Sequence, residues 1–283
     1  MLGYKGLKVL RELNQKELNL ISDVVIAKDK NVINDFSNEI KTFCTENSIN
    51  YYFKNSEPKN LVNFCILIGW RWLINLENEK IIVIHDSLLP KLRGFNPLVT
   101  ALINGDKRIG VTAIIATSQF DKGPILVQKS LGIKYPIKIN DAIHSISDLY
   151  VDIVKTLLLR IETSTLTLVN QNEKKATYSL WRDDDDYWIN WNWESDKIKR
   201  FIDAVGYPYL GAKSLVNGLI VRFFDVEITS DIHIENRVPG KVIFKDEESL
   251  TIVCGIGLLR VKQIILEDNS IFDFSKYFRI RFK

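Results

Sequence analysis

Apolar positions along the chain fall into two regimes. In the first, short runs rich in β-branched and aromatic residues alternate with stretches whose apolar residues recur at helical spacing. The runs are Asp23 to Ala27, Asn50 to Phe53, Phe64 to Ile68, Ile81 to Ile84, Gly110 to Thr117 and Ile125 to Ile133. The helical stretches are Leu7 to about Leu20, Asn34 to Asn47, Pro97 to Asn104 and a long amphipathic segment from Lys138 to Glu162. Such alternation predicts an α/β domain with a Rossmann-like, doubly wound parallel sheet, closed by the long helix. After Gly206 the pattern changes. Leu219 to Ile228, Gly240 to Phe244, Leu250 to Cys254 and Leu258 to Leu266 are apolar or alternating, with turns at Pro239-Gly240 and Gly255 to Gly257 and no long helix between them. This predicts a small antiparallel β domain, OB-like and barrel-like. The expected division is 1–165 for the Rossmann-like domain, 166–206 for a linker and helix (Ser195 to Val205) bordering a cleft, and 207–283 for the β domain.

The start of the chain is terse. Only Met1 and Leu2 stand where a first strand belongs, so that strand is very short or the given start lies inside it. Gly3 and Gly6 suit a tight strand-to-helix turn able to approach a phosphate or sugar through backbone N–H groups.

Candidate chemistry gathers between Ile81 and Gln128. Four apolar β-formers deliver His85 to the carboxyl end of a strand, where open α/β sheets place their ligands. Ser87-Leu88-Leu89-Pro90 and Arg93-Gly94 mark a turn. The loop Ser118 to Gly123 follows the next strand, so Asp121 is expected back at the same sheet edge. Trp70-Arg71-Trp72-Leu73 directly follows another strand, as a ligand wall or as packing under a loop. Lys28 to Asn31 reads as a solvated loop. The four aspartates Asp183 to Asp186 do not make a metal cage by themselves, because consecutive side chains point in different directions. They are expected to cap a helix or turn, with Arg182 paired to one of them. His144, inside the long helix, reads as structural, and His233, in a polar loop, as incidental.

Composition narrows the picture modestly. A chain of 283 residues with 46% hydrophobic and 26% charged residues is ordinary for a soluble globular protein. It has no apolar run of about 18 residues and no signal peptide, which predicts a cytoplasmic protein with no membrane partner. Cys44, Cys65 and Cys254 form neither a disulfide set nor a metal pattern and are expected to be reduced. The net charge of +3 is small for a protein gripping a long nucleic acid, so tRNA is disfavoured as a partner.

The segment HDSLLPKLRG (His85 to Gly94), followed by GVT (Gly110 to Thr112) and DKGPIL (Asp121 to Leu126), resembles the folate-dependent formyltransferases. That superfamily includes methionyl-tRNA formyltransferase and the nucleotide-sugar N-formyltransferases. The gaps agree as well, 25 positions from His85 to Gly110 and 36 from His85 to Asp121. The family also carries asparagine two residues before the histidine; here that position is Val83. The segment VPGKVI (Val238 to Ile243) is similar to the family's barrel-like C-terminal domain, read here as a packing module, with a homodimer possible. The resemblance implies His85 and Asp121 as catalytic residues and no metal. It places 10-formyltetrahydrofolate against Trp70, Arg71, Trp72, Leu73, Ser118, Gln119 and Phe120. Acceptor contacts are implied for Tyr4, Lys5, Ser87, Leu89, Pro90, Arg93, Gly94 and Asn96. The block from Tyr178 to Trp191 is similar to the linker of sugar N-formyltransferases, which adds Tyr178, Trp181 and Arg182.

The implied reaction is formyl transfer to the amino group of a nucleotide-linked deoxyamino sugar for a bacterial surface glycan such as O-antigen or lipopolysaccharide. His85 would hydrogen-bond the developing oxyanion, and Asp121 would hold the imidazole and accept the amine proton. Val83 cannot donate a hydrogen bond, and one lost oxyanion donor costs on the order of 3 kcal/mol. Ser87, Asn96 or a water would have to replace it. A methionyl-tRNA formyltransferase is the alternative among enzymes. A non-catalytic folate or nucleotide-sugar binding protein is the alternative outside them.

Overall fold

The computed structural model describes residues 1–30, 32–54, 56, 63–72, 74 and 80–283. Leu73, expected beside the folate, lies outside the described residues. The chain separates into two compact units, Met1–Leu98 with Lys107–Ile133 and Asp141–Trp181, and Val99–Asp106 with Lys134–Asn140 and Arg182–Lys283.

The first unit opens with helices α1 (Gly3–Glu12) and α2 (Gln15–Leu18), strand β1 (Asp23–Ile26), helix α3 (Ser37–Glu46) and strand β2 (Asn50–Phe53). The helical stretch expected from Leu7 thus begins four residues earlier and breaks after Glu12. Gly6 is helical rather than part of a turn. β1 and β2 pair in parallel. Met1 and Leu2 are not in a regular strand, but with Leu2 extended they join two sheets. Ala27 N donates to Met1 O at 3.2 Å on one side, and Leu2 N donates to Ile68 O at 3.0 Å on the other.

Strands β3 (Phe64–Ile68), β4 (Lys80–His85), β6 (Arg108–Ile115) and β7 (Ile125–Gly132) form one sheet in that order. Between β4 and β6 come the two-residue strand β5 (Arg93–Gly94) and helix α4 (Pro97–Asn104). Only β3 and β4 are parallel; β4 with β6 and β6 with β7 are antiparallel. The expected parallel sheet is therefore a mixed one. A strand buried on both faces reads as a continuous apolar run in either direction, so the sequence pattern does not reveal the reversal. Helix α5 (Ile139–Glu162) buries Ile146, Tyr150, Ile153 and Leu157 at helical spacing. It is pinned to the sheet by Tyr150, whose single hydroxyl proton is shared between Asp86 Oδ1 at 2.5 Å and Ile84 O at 3.1 Å. The unit ends with β8 (Tyr178–Ser179), parallel to β5.

In the second unit, helix α6 (Ser195–Val205) buries Ile198, Phe201, Ile202 and Val205, one face of the helix. Strands β9 (Ala212–Val216) and β10 (Leu219–Phe223) and the later β15 (Ile265–Leu266) form an antiparallel sheet. β11 (Glu227–Thr229), β12 (Val242–Lys245), β13 (Leu250–Val253) and β14 (Leu258–Val261) form a second one. Two expected long strands are each split, Leu219 to Ile228 into β10 and β11 and Leu258 to Leu266 into β14 and β15. Each piece pairs in a different sheet. β9 has no counterpart in the sequence reading. Trp191, Phe223 and Phe282 form an aromatic core with ring centroids 5.4–5.8 Å apart.

The aspartate run does cap a turn. Asp183 and Asp186 exchange hydrogen bonds across a capping box on the 3₁₀ turn Asp184–Tyr187. The cationic partner is not Arg182. Lys213, 2% exposed, reaches Asp184 at 2.5 Å with Arg222 behind it, and this holds the Asp184 carboxyl below the usual range.

Candidate active site

His85 ends β4 at 8% exposure. Its Nε2 lies 2.8 Å from Leu92 O. A carbonyl can only accept, so Nε2 carries the proton and the ring is oriented by the turn that follows. Nδ1 faces Asp121 Oδ1 at 3.6 Å, with Asp121 13% exposed. The pair expected from the sequence therefore comes together, by a route different from the expected one. Because β6 is antiparallel to β4, the chain leaves β6 at the end of the sheet away from His85 and has to fold back. Gly123 makes the fold possible: a Cβ there would lie 1.7 Å from Ile115 O. Asp121 itself takes φ 54°, and its Oδ2 accepts from Gly94 N at 2.7 Å.

The Ser87–Pro90 turn is held by a buried polar network. Thr112 Oγ1 donates to Ser87 O at 2.6 Å and accepts from Leu89 N at 3.2 Å and from Gln128 Nε2 at 2.8 Å. Gln128 also donates to Leu89 O at 3.0 Å. Ser87 spends its one hydroxyl proton on Lys91 O at 2.6 Å. Val83 lies two residues before His85 on β4, so the two share a face of the strand.

One residue past His85, Asp86 pairs with Lys5 and accepts the Tyr150 hydroxyl at 2.5 Å. Burial alone would raise the Asp86 pKa; the Lys5 charge and the hydrogen bonds from Lys5 and Tyr150 outweigh it, and the carboxyl is held below the usual range. Burial raises the Tyr150 hydroxyl well above its ordinary value, and the Asp86 charge adds to that. Lys5 is thus engaged with Asp86. Tyr4 packs against His144, ring centroids 4.1 Å apart, and against Phe36 at 5.6 Å. His233 is exposed and meets Glu235.

Beside Gly94 and the Asp121 loop opens a cavity of about 530 Å³. Its lining includes Arg93, Gly94, Phe95, Ser118, Gln119, Phe120, Tyr178 and Trp181, all in the first unit. Ser118 to Phe120, expected on the folate side, therefore share a cavity with the residues expected on the acceptor side. Phe120, Tyr178 and Trp181 are 60–63% exposed. Arg93, expected to contact substrate, is fully buried and commits its guanidinium to Gln171 and Glu173. Asn96 follows with φ 48°. Arg182 falls in the second unit.

Trp70, Arg71 and Trp72 follow β3 at the same sheet edge as His85, since Ile68 pairs with Ile84. Trp70 and Trp72 meet edge to face at 5.3 Å, and Arg71 pairs with Asp29 at 2.7 Å. Trp70 Nε1 is buried with no hydrogen-bond partner among the described residues. Among those residues no group of three or more metal-ligating side chains is clustered, and no helix is long and apolar enough to cross a membrane.

An imidazole and a carboxylate at a sheet edge, beside an aromatic-walled cavity, form a site able to do acid–base chemistry on a bound molecule. The chain belongs to the formyltransferase family. Residues 12–157 match the formyl transferase family model and residues 182–281 match the formyl transferase C-terminal domain. A methionyl-tRNA formyltransferase from Geobacter metallireducens is 28% identical over 196 residues, covering 69% of this chain and 61% of that protein. The chain thus spans about three-fifths of the length of this curated relative. Among solved structures, an N-formyltransferase from Helicobacter canadensis in complex with folinic acid and dTDP-3-aminofucose has a TM-score of 0.66 at 17% identity, covering 86% of this chain and 99% of that one. Methionyl-tRNA formyltransferase from Clostridium thermocellum has a TM-score of 0.54 at 19% identity, covering 74% of this chain and 94% of that one.

The Gln171–Arg93–Glu173 cluster and the Asp86–Lys5–Tyr150 cluster escaped the sequence reading. Their members lie up to 80 and 145 positions apart, and only the Arg93 motif hinted at either.

Proposed function

We propose that this chain transfers a formyl group from 10-formyltetrahydrofolate to the amino group of a nucleotide-linked deoxyamino sugar destined for a bacterial surface glycan. The observation that carries the proposal is the His85–Asp121 pair, 3.6 Å apart beside an aromatic-walled cavity of about 530 Å³. A cavity of that size suits a small ligand, and exposed Phe120, Tyr178 and Trp181 offer ring faces to a nucleobase. The Helicobacter canadensis relative, bound to folinic acid and a dTDP-amino sugar, supports the same ligand classes. Trp70 Nε1, a buried donor with no partner among the described residues, fits an acceptor on a pterin ring. When bound, 10-formyltetrahydrofolate supplies the activated formyl carbon.

In this reading Asp121 accepts the proton of the attacking amine. Leu92 O holds the His85 ring through Nε2, so that Nδ1, beside Asp121, donates to the developing oxyanion when it too carries a proton. With Ser87's proton committed to Lys91, Asn96, two residues beyond Gly94, is the side chain left to stand in for the asparagine that Val83 replaces. Residues 1–165 carry the chemistry, Tyr178 and Trp181 of the following linker add to the cavity wall, and 207–283 form a packing and dimerising module.

The test is release of tetrahydrofolate from 10-formyltetrahydrofolate with a panel of dTDP-linked amino sugars and a His85→Ala control. Turnover with one sugar that vanishes in the control is expected; none with any sugar defeats the proposal. The curated methionyl-tRNA formyltransferases favour a second reading, with tRNA as acceptor. Formylation of methionyl-tRNA with affinity falling steeply in salt would establish that reading instead.

A further inference from the structure

No regular structure holds Asp121 in place. The chain leaves β6 at the end of the sheet away from His85, and the loop folds back with Asp121 at φ 54° to bring the carboxylate to the imidazole. Gly94 N grips the carboxylate, and one side chain grips the loop's backbone from outside. Gln171 Nε2 donates to Asp121 O and to Gly123 O, each at 2.7 Å. Those two bonds use both of the amide's protons. Its oxygen accepts from Arg93 Nη2 at 2.8 Å and Nε at 3.2 Å. A guanidinium can only donate, so the amide oxygen must face Arg93 and the nitrogen must face the loop. Arg93 in turn cannot drift, being fully buried and held on its other edge by Glu173 at 2.6 and 2.8 Å. Gln171 lies outside the motifs that carry the family resemblance.

We infer that Gln171 is a positioning residue for Asp121: it sets where the carboxylate stands against His85 and the incoming amine, while touching neither. The inference rests on the formyl-transfer reading above. Gln171→Glu tests it with almost no change in shape. The variant keeps an acceptor for Arg93 but turns an oxygen toward the carbonyls of Asp121 and Gly123, so the loop must shift.

In the tetrahydrofolate-release assay with dTDP-linked amino sugars, Gln171→Glu is expected to lower kcat by roughly ten- to a hundredfold, the scale of a misplacement of about 1 Å. KM for sugar and folate should change less than kcat, within a few fold, because Gln171 grips the loop at Asp121 and Gly123 and not at Ser118 to Phe120, which line the cavity. Gln171→Asn, which keeps the donors one methylene short, serves as a second probe should the glutamate variant unfold.

A merely structural role would not produce the next result. In an Asp121→Asn background the same Gln171 substitution should cost less than about twofold, because its target is already disabled. An equal loss in both backgrounds overturns the inference, as does an unchanged kcat. Full activity of Asp121→Asn overturns it together with the assignment of Asp121. If the unsubstituted chain formylates no acceptor at all, the functional reading fails by itself, and crystal structures then decide the Gln171 inference. A His85–Asp121 separation widened in Gln171→Glu upholds it, and an unchanged one defeats it.

Discussion

Asp86→Asn removes one charge and almost no volume from the cluster beside His85. Asp86 and Lys5 are 18% and 16% exposed. Removing one partner of a fully buried pair costs about 3–5 kcal/mol, and an exposed pair is worth about 0–1 kcal/mol. At this partial exposure about 2 kcal/mol is expected at pH 7. Asparagine can still accept from Tyr150, so most of the loss is the charge facing Lys5. The pH dependence fixes the cause. The folded Asp86 carboxyl titrates below its unfolded value of about 3.9. Its stabilisation is therefore complete above that value and is lost as pH falls through the folded pKa. Thermal unfolding of the protein and the variant, side by side at pH 7 and near pH 3, cancels the contribution of the other carboxylates. The variant should melt about 4–8 °C lower at pH 7, the scale for a unit of 150–250 residues, and the gap should shrink in acid. A gap under about 1 °C at pH 7, or one undiminished in acid, would refute the reasoning.

Gly94→Ala should destabilise by about 2 kcal/mol or more, since φ is 98° and a Cβ would lie 2.5 Å from Ser179 O. A urea midpoint within error of the parent would contradict that. Thr112→Val keeps the shape but strands Ser87 O and Leu89 N, and a loss of about 1–3 kcal/mol is expected in the same titration; no loss would mean the turn is held elsewhere. Burial pushes the Cys44 thiol up to about 11 and the Cys254 thiol up to about 12. At pH 8 an aromatic disulfide reagent should leave both untouched in the folded protein and label them in urea, because the thiolate is the reactive form. Fast labelling of either in the folded state would disprove their burial.

Local order was readable from the chain because it depends on neighbours a few positions away. The run Ile81 to Ile84 becomes β4 with His85 at its carboxyl end, and the spacing of Ile143 to Leu157 becomes α5. The loss of long helical periods after Gly206 marks the β unit. Asp121 could be paired with His85 from the family spacing alone. What the tertiary structure decided are the matters of direction and partner. β6 runs antiparallel to β4, which the chain alone does not reveal, because a buried apolar strand shows the same periodicity whichever way it pairs. The same limit applies to side chains. Arg93 reads as a ligand contact beside Gly94, yet Gln171 and Glu173 arrive from about 80 positions downstream to bury its charge. One of the four aspartates reads as a partner for Arg182, yet it is Lys213 that reaches Asp184 from β9. A buried charge must find a counterpart wherever the fold brings one within reach, and that reach is set by the packing of whole strands.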